Sequence, residues 1–599
     1  MTTTAALVFN DADKLGFVAS VDTSRIYINV ADHSLLARVG VGNLVAIQGQ
    51  TAQEFLIGMV EKVTRLTREQ VMIYESEEQA ALPSDSQEDT IRAVLVGTYK
   101  TIEGTSSNIF KRGTDSFPQI DRSCFIITSK NLQQLMGLLA KDLAPDKRLQ
   151  IGHYVADRTA TAVADGDRFF QRHAAILGST GSGKSWATAL ILERASNLQY
   201  PNIIVMDMHG EYKPLTKKFG GYASGLRIAG PGDLATPDDD VLFLPYWILN
   251  REELLSLVLD RNDQNAPNQA SRFTTQVRRL KENTLKTEGK NDVLSTFTVD
   301  SPIPYRLEEL LEALKKDNEE MVPGAKPNTE KQGEWYGKLT RFISRFETKM
   351  EDRRYGFMFK PPPVTLAYDW LSALVSRLLG ADKSSPGIKI IDFSEVPTDV
   401  LPIVVGVFAR LIYDVQFWLP PEERTPLTIV CDEAHLYLPA RDDADVVAKR
   451  ALEIYERIAK EGRKYGVSLL VVSQRPSDVS RTILSQCNNF IALRLTNEQD
   501  QGVVRRLMPD SMAGLVDILP LLDVGEALVL GDSVLLPTRI KLEKPKLQPS
   551  SATKNFWTDW GAAPSAPHKF SGAIEILRKQ TRTSTPPSTV ASPTPPSSP

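Results

Sequence analysis

Residues 178–185 read Gly178-Ser179-Thr180-Gly181-Ser182-Gly183-Lys184-Ser185, which has the form GxxxxGK[ST]. An apolar run, Ala174–Leu177, precedes this stretch, and a helix-like run over 186–195 follows it. A strand, a glycine-rich turn and a helix are the three parts of a phosphate-binding P-loop. The backbone N–H groups of such a loop point at a phosphate, and the helix N-terminus adds partial positive charge. The stretch therefore predicts a nucleoside triphosphate site.

The loop also assigns roles to individual side chains. Lys184 is expected to reach the outer phosphates of ATP, and the Ser185 hydroxyl is expected to help hold Mg²⁺. Trp186 directly follows the loop and is included in the expected nucleotide-binding set. A plain Gly/Ser turn between a strand and a helix is the alternative, but the spacing and the flanking runs both favour the P-loop.

Composition indicates a multidomain globular protein. The chain has 599 residues, 42% apolar and 24% charged, so we expect several domains. Its net charge of −4 means that any nucleic-acid site is a local patch or is assembled between subunits. Cys124, Cys431 and Cys487 lie far apart without metal-ligand spacing, which predicts buried free thiols in a reducing compartment.

Targeting signals are not evident in the sequence. The N-terminus has no basic segment before its short apolar run, unlike a signal peptide. We find no stretch of about 18 or more apolar residues, so we expect no membrane span and a cytoplasmic location.

The hydrophobic pattern divides the chain into an α/β core with additions. Near-continuous apolar runs are typical of strands in a largely parallel, buried sheet, while short β-rich runs near the N-terminus predict an antiparallel barrel. Residues 75–89 are acidic and predict a loop. The expected parts are a β-barrel domain at 1–150, an ATPase core at 151–249 and 387–545, a helical insertion at 250–386, a C-terminal arm at 546–580 and a disordered Ser/Thr/Pro tail at 581–599.

The insertion contains a local cluster of basic residues. We expect these residues to form a solvated helix face, with nucleic-acid contact as the alternative. An Asn/Gln-rich stretch at 262–269 predicts a break between helices. Residues 323–333 are polar and predict a loop. The clustered residues are Arg272, Arg278, Arg279, Lys281, Lys286 and Lys290.

A second acidic element completes the expected ATPase site. The apolar run Leu427–Cys431 ends in Asp432 and Glu433, as a Walker B strand does. Asp432 is expected to hold Mg²⁺, and Glu433 to orient and deprotonate the attacking water. A strand ending in Asp-Glu is common by chance, so this assignment depends on the P-loop upstream.

The next strand is expected to place a sensor residue near the phosphates. An amphipathic helix precedes it and is predicted to end at Gly466. Residues 467–472 form the predicted strand, and Gln474 and Arg475 follow its carboxyl end. Open α/β sheets bind ligands beyond the carboxyl ends of their strands. Gln474 is therefore expected to sense the γ-phosphate, whereas Arg475 has either a structural ion pair or a catalytic role.

These elements together resemble the HerA family of prokaryotic hexameric DNA-translocating ATPases, which is related to FtsK and to conjugative coupling proteins. The resemblance covers most of residues 1–545, and its motifs are specific as a group rather than singly. The matching segments are GSTGSGKS at 178–185, DMHGEY at 207–212, IVCDEAHLYLP at 429–439, KEGRKYG at 460–466 and VVSQRPSDVS at 471–480.

The resemblance implies a RecA-like core that works as a homo-hexameric ring, with each ATP between neighbouring subunits. Arg463 matches the trans-acting arginine finger. Arg172 resembles a second arginine near the nucleotide, although it could be an ordinary strand-edge residue. Asp207, His209 and Glu211 match the acidic motif after the second core strand, and His209 could equally be structural.

The family resemblance also implies a motor that acts with a partner. The expected function is translocation of double-stranded DNA through the central pore, coupled to a nuclease or a sirtuin-like effector that docks on the barrel domain. Antiphage defence and DNA end processing are the two settings that the resemblance suggests. A scaffold ring that uses ATP to assemble and activate an effector is the main alternative, and a coupling ATPase for DNA transfer is a weaker one.

Overall fold

The computed structural model describes residues 7–22, 25–30, 32–51, 53–68, 86–101, 108–114, 116–235, 237–326, 328–380, 387–440, 446–508, 510–551, 555–561 and 570–581. The chain forms two compact units. The first comprises Met1–Gln199 and Ser468–Gln548, and the second comprises Tyr200–Val467 and Pro549–Pro599. Strands and helices are numbered below along the chain.

The first unit begins with a β-barrel. Its antiparallel strand order is β2-β1-β7-β3-β4-β5-β6, and pairing of β2 with β5 closes six of the strands into a barrel. Alternate apolar side chains such as Val18, Ile28 and Val45 fill the interior, so the predicted barrel is confirmed. The strands are β1 (Lys14–Asp22), β2 (Arg25–Val30), β3 (Leu44–Gln48), β4 (Glu54–Arg68), β5 (Ser86–Thr101), β6 (Asn108–Arg112) and β7 (Ser123–Ile127).

The acidic loop predicted at 75–89 is shorter than expected. Residues 86–89 belong to β5, where the buried carboxylate of Asp89 pairs with Arg65 at 3.2 Å across the hairpin. Residues 75–85 lie outside the described residues. The sequence also failed to predict β6 and helix α1 (Ser129–Asp142).

The rest of the first unit carries the P-loop strand in the order β18-β10-β19-β20-β21-β8-β9. Strand β10 is parallel to both of its neighbours, and the later strands pair antiparallel. These strands are β8 (Arg148–Tyr154), β9 (Thr161–Asp165), β10 (Ala174–Leu177), β18 (Val467–Ser473), β19 (Asn489–Ala492), β20 (Glu526–Gly531) and β21 (Thr538–Leu542); the helices are α2 (Gly166–Gln171), α3 (Lys184–Ser196), α13 (Arg481–Gln486) and α14 (Glu498–Leu507).

The second unit contains five parallel strands in the order β13-β12-β16-β11-β17. Almost every residue of β11, β16 and β17 is buried, which explains why the sequences of these three strands are largely apolar rather than alternating. The five strands are β11 (Ile203–Asp207), β12 (Ser224–Ile228), β13 (Val241–Leu242), β16 (Ile388–Asp392) and β17 (Leu427–Cys431), accompanied by helices α11 (Leu401–Trp418) and α12 (Val446–Glu461).

The predicted helical insertion is present in the second unit. The expected break at 262–269 is only partly correct, because α5 already begins at Ala266. The expected polar loop at 323–333 contains a short hairpin. The insertion consists of α4 (Arg251–Val258), α5 (Ala266–Thr287), α6 (Asn291–Leu294), α7 (Leu307–Glu319), β14 (Met321–Pro323), β15 (Glu330–Gln332), α8 (Thr340–Glu351), α9 (Gly356–Phe359) and α10 (Trp370–Leu379).

The basic cluster in the insertion is not a uniformly solvated face. Lys281 is 1% exposed and its ammonium group donates to the carbonyls of Val299 and Ser301 at 2.7 and 2.6 Å. Arg272 forms a two-pronged ion pair with the buried carboxylate of Asp317. Both side chains therefore stabilise the insertion, and neither the solvated-face reading nor nucleic-acid contact describes them.

One described helix, α11, is long and apolar enough to cross a membrane by length and composition alone, although Arg410 and Asp414 interrupt its apolar run. Its mean hydropathy is 1.4, and 67% of it is buried within the structure. The core helix of a soluble protein passes the same test, so this observation is weak evidence for a membrane span.

The C-terminal arm contains two described helices, α15 (Phe556–Gly561) and α16 (Phe570–Lys579). Three aromatic side chains of α15 are exposed, those of Phe556, Trp557 and Trp560. Of the Ser/Thr/Pro tail, Thr581 is buried and contacts Glu395, and the remainder lies outside the described residues. The three cysteines are buried and free, as expected.

Candidate functional site

The P-loop connects β10 to α3 within the first unit. Gly181 and Gly183 have φ of 73° and 107°, a region that side chains strongly disfavour, which explains glycine at both positions. Gly183, which has no side chain, is the N-cap of α3, so the positive end of the helix dipole faces the loop. The Ser182 N–H donates to the Ser179 carbonyl at 3.2 Å, which closes the turn.

The side chains of the loop are held by its neighbours in the same unit. Lys184 is 8% exposed and its ammonium group donates to the Ser179 carbonyl at 3.4 Å. The Thr180 hydroxyl donates to the Gln474 amide oxygen at 2.7 Å, so the structure brings the predicted sensor residue to the P-loop. Ser185 and Trp186 follow on the first turn of α3, and Lys544 lies 5.5 Å from the Trp186 ring centre.

The acidic cluster belongs to the second unit, at the carboxyl ends of β11 and β17. Asp207 is fully buried and accepts hydrogen bonds at 3.0 Å from the N–H groups of Glu211 and Tyr212. The Tyr212 hydroxyl in turn donates to Asp432 at 3.3 Å. The loop after β11 thus positions the Walker B aspartate.

Glu433 occupies a strained backbone position beside Asp432. Its φ is 46°, in the left-handed region that residues other than glycine seldom adopt. Its carboxylate lies 3.3 Å from Nδ1 of His435. Strain of this kind accumulates at functional sites, because it fixes the direction of one side chain at the expense of local stability.

Burial dominates the electrostatics of this cluster. It raises the pKa of Asp207 to about 6, and the charge of Asp392 adds to the shift, while hydrogen bonds from backbone N–H groups oppose it. The pKa of Asp432 is also raised, first by burial and then by the charges of Asp207, Glu433 and Glu211. Clustered carboxylates that repel one another suit a hard divalent cation such as Mg²⁺, which prefers oxygen ligands.

Arg463 lies on a short turn at the opposite end of β17. The Gly466 carbonyl, three residues further on, accepts a hydrogen bond at 2.7 Å from the N–H of Leu427, the first residue of β17. Asp432 directly follows Cys431, the last residue of β17. The five-residue strand therefore places Asp432 about 17 Å from the end at which the Arg463 turn lies. The Arg463 side chain is exposed and forms no ion pair with any described residue.

Comparison with known proteins agrees with this geometry. Residues 149–412 match the family model described as the central domain of helicase HerA. A probable helicase of Methanocaldococcus jannaschii is 27% identical over 510 residues, covering 84% of this chain and 86% of that protein. The chain is therefore similar to the HerA family over residues 149–412. The predicted resemblance to that family is confirmed, as are the P-loop ATPase fold and an ATP-hydrolysing enzyme.

Other relatives of this chain are named DNA double-strand break repair helicases. The protein of Sulfolobus acidocaldarius is 28% identical over 65% of this chain and 69% of its own length, and that of Pyrococcus furiosus is 26% identical over 66% and 69%. Among solved structures, VirB4 of Thermoanaerobacter pseudethanolicus is similar with a TM-score of 0.43 and 19% identity, covering 66% of this chain and 96% of that chain.

Arg172 and Arg475, two other arginines singled out in the sequence, each pair with a carboxylate of the first unit. Arg172 precedes β10, whereas the P-loop follows it, and the Arg172 guanidinium contacts the Asp532 carboxylate. The structure therefore does not bring Arg172 to the P-loop of its own subunit. Arg475 lies 3.6 Å from Asp478, which favours the structural ion pair. His209 is exposed and is not a buried structural histidine.

Sequence analysis missed three participants in the acidic cluster. Tyr212 donates hydrogen bonds to Asp207 and Asp432. The charge of Asp392 raises the pKa of Asp207, and His435 contacts Glu433. Tyr212 and His435 lie inside the quoted segments DMHGEY and IVCDEAHLYLP, so their positions within HerA-type motifs were the available signal. Asp392 is the last residue of β16, which pairs with β11, so its place in the cluster could be recognised only once the strand order was known.

The raised pKa of Asp432 predicts a specific pH dependence for ATP hydrolysis. Protons compete with Mg²⁺ for the Asp432 carboxylate, so the Mg²⁺ concentration that half-saturates ATP hydrolysis should rise as the pH falls below that raised pKa, by about tenfold per pH unit for one competing proton. Asp207→Asn removes a charge that raises the pKa of Asp432, and it should move the acidic limb to lower pH.

Asp292→Asn, in the insertion helix α6, is the matched control and should leave the pH profile unchanged. The Mg²⁺ dependence of ATP hydrolysis is measured between pH 5 and pH 8 for both variants. An acidic limb that stays in place or moves to higher pH in Asp207→Asn would contradict the coupling of the two aspartates.

Proposed function

We propose that this chain is an ATP-driven translocase of double-stranded DNA that works as a ring of six identical subunits. The observation that carries the proposal is the position of Arg463. It is exposed, and it lies at the end of β17 remote from Asp432, about 17 Å away along the strand. A finger in that position has no access to its own subunit's Mg²⁺ carboxylate, but it can serve the nucleotide of a neighbour.

The described residues have chemistry that suits ATP hydrolysis. We assign Lys184 and the N–H groups of residues 178–185 to the phosphates, and Ser185 and Asp432 to Mg²⁺. Bound Mg²⁺ would neutralise phosphate charge. Glu433 is assigned to the attacking water, which it would orient and deprotonate, and Gln474 to sensing of the γ-phosphate through its contact with Thr180.

A ring also fits the charge of the chain. With a net charge of −4, the surface as a whole does not attract DNA, so basic residues need to line only the inner wall of an assembly. The relatives named DNA double-strand break repair helicases support DNA as the substrate. An arginine that completes a neighbour's site couples hydrolysis to assembly, as a translocating motor requires.

We further propose that a nuclease or a sirtuin-like effector docks on the barrel domain, in antiphage defence or in DNA end processing, in the cytoplasm. Three apolar side chains on that domain, Ile109, Phe117 and Ile120, are about half exposed and are candidate contacts. Co-expression of the chain with a nuclease and, separately, with a sirtuin-like protein, followed by co-purification with the wild-type chain and with Phe117→Ser, tests this part. Equal recovery with both chains would reject these contacts.

The scaffold alternative is separated from the motor by Glu433→Gln. This change keeps the size of the side chain but removes its basicity, so ATP hydrolysis should fall by about 10²–10⁴-fold while nucleotide binding and assembly persist. A motor should then lose DNA translocation and effector output together. Effector output that persists at the wild-type level in assembled Glu433→Gln rings would favour the scaffold.

A further inference from the structure

A cavity of about 560 Å³ lies within the second unit. It is bounded by β12, β16 and the turns Lys213–Leu215 and Lys217–Phe219. Its volume falls in the range of roughly 300–1,000 Å³ that is typical of small-molecule sites. None of the residues assigned above to ATP or Mg²⁺ lines it.

The lining of this cavity carries an excess of positive charge. Six cationic residues face three carboxylates, those of Asp239, Asp240 and Asp392. The cations are Lys213, Lys217, Lys218, Arg227, Arg377 and Lys389. Four of them have partners, which are Asp392 for Lys213 at 2.8 Å, Asp240 for Lys218 at 3.7 Å, Asp233 for Arg227 and the Asp239 carbonyl for Arg377.

Lys389 is the buried cation of the set. It is 2% exposed, on β16 beside Ser224 of β12, and no described residue accepts a hydrogen bond from its ammonium group. Burial lowers its pKa to about 8, so most of the group is still charged at pH 7. Burying a charged group without a partner costs free energy. This cost indicates that the Lys389 ammonium group either binds a ligand or stabilises the end of a neighbouring helix.

Lys217 supplies a second cation without a carboxylate partner among the described residues. Its N–H pairs with the Ala223 carbonyl, next to Ser224, whose register partner is Lys389. The backbones at Lys217 and Lys389 are therefore two strand spacings apart, about 10 Å. Two lysine side chains can extend across that distance to contact one anion. Lys217 is exposed and Lys389 is buried.

We propose that this cavity binds a small phosphorylated molecule with an aromatic or apolar body, its phosphate held between Lys389 and Lys217. A phosphate monoester carries about −1.5 to −2 charges at pH 7, which matches two ammonium groups. The apolar lining residues Phe219 and Leu226 accommodate the body of the ligand, and the register places Leu226 on the same face of the sheet as Lys389. A DNA backbone is too large to reach a side chain that is 2% exposed.

Calorimetric titration of the full chain with phenyl phosphate tests the proposal. The titrations use the Lys184→Ala background, so that the P-loop lysine does not contribute. Phenyl phosphate should bind at least about tenfold more tightly than inorganic phosphate or phenol, because only it satisfies both parts of the cavity. Lys389→Met should weaken that binding by about tenfold to a hundredfold through loss of a charge-assisted hydrogen bond. Lys331→Met, in the exposed strand β15, should have no effect.

Lys217→Met provides a second variant whose fold is not in question, because Lys217 is exposed. It should weaken phenyl phosphate binding several-fold without a change in Tm. Unchanged binding in both variants would overturn the proposal and leave Lys389 with the role of stabilising the end of α10, beside Gly380. Equal affinity for phenyl phosphate and inorganic phosphate would overturn the aromatic or apolar body. Neither result depends on whether the chain translocates DNA.

Discussion

Replacing Arg463 with alanine should lower ATP hydrolysis by about 10³–10⁵-fold, the range that arginine fingers contribute to kcat. The loss should come from the chemical step, because the proposed function assigns the Arg463 guanidinium to the γ-phosphate of a neighbouring subunit's ATP. The free energy of unfolding should change by no more than about 0.5 kcal/mol, since the side chain is exposed. Steady-state ATP hydrolysis and thermal unfolding are measured on assembled protein.

Lys464→Ala is the control for this prediction, because Lys464 is the next residue on the same turn and is also exposed. It should retain hydrolysis within a few-fold of wild type. Hydrolysis that survives in Arg463→Ala would show that the Arg463 guanidinium is not required. An equal loss in both variants would show that the turn matters for a reason other than that guanidinium.

Replacing Lys184 with alanine should lower ATP hydrolysis by at least about 10²–10³-fold, the cost of removing one group that stabilises transition-state charge. The side chain is 8% exposed at the start of α3, where it contacts the Ser179 carbonyl of the P-loop. It is therefore held at the loop before a phosphate binds. Hydrolysis and the affinity for a fluorescent ATP analogue are measured side by side, since the lysine contacts phosphate in the ground state as well.

Lys316→Ala removes one exposed lysine from α7 and controls for the change of net charge. It should leave both quantities unchanged. Turnover near the wild-type rate in purified Lys184→Ala would contradict the assignment of residues 178–185 as the catalytic phosphate loop.

The local geometry of the site follows from short stretches of sequence. The P-loop, the acids after β17 and the helix end at Gly466 depend on glycine geometry and on strands of four to seven mostly apolar residues, and both are written in adjacent positions. The contact between Thr180 and Gln474 was also implied, because both follow the carboxyl ends of strands that pair with each other.

Properties set by packing could not be predicted in the same way. The spacing of basic residues on α5 suggested a solvated face, yet Lys281 is buried because carbonyls at 299 and 301 happen to receive its ammonium group. The contact of Arg172 with Asp532, 360 residues further along the chain, also depends on tertiary packing. The charge of Lys389 became notable only once its strand was placed between β12 and β11.

The most direct test of an ATP site shared between subunits mixes two inactive variants. Arg463→Ala subunits retain Glu433, and Glu433→Gln subunits retain Arg463, so a mixed ring contains some interfaces with both groups intact. Random mixing at equal amounts makes roughly a quarter of the interfaces complete. The account predicts that ATP hydrolysis in the mixture rises toward that fraction of the wild-type rate, far above either variant alone. A mixture no more active than the average of its two components, with mixed rings confirmed by native mass spectrometry, would contradict it.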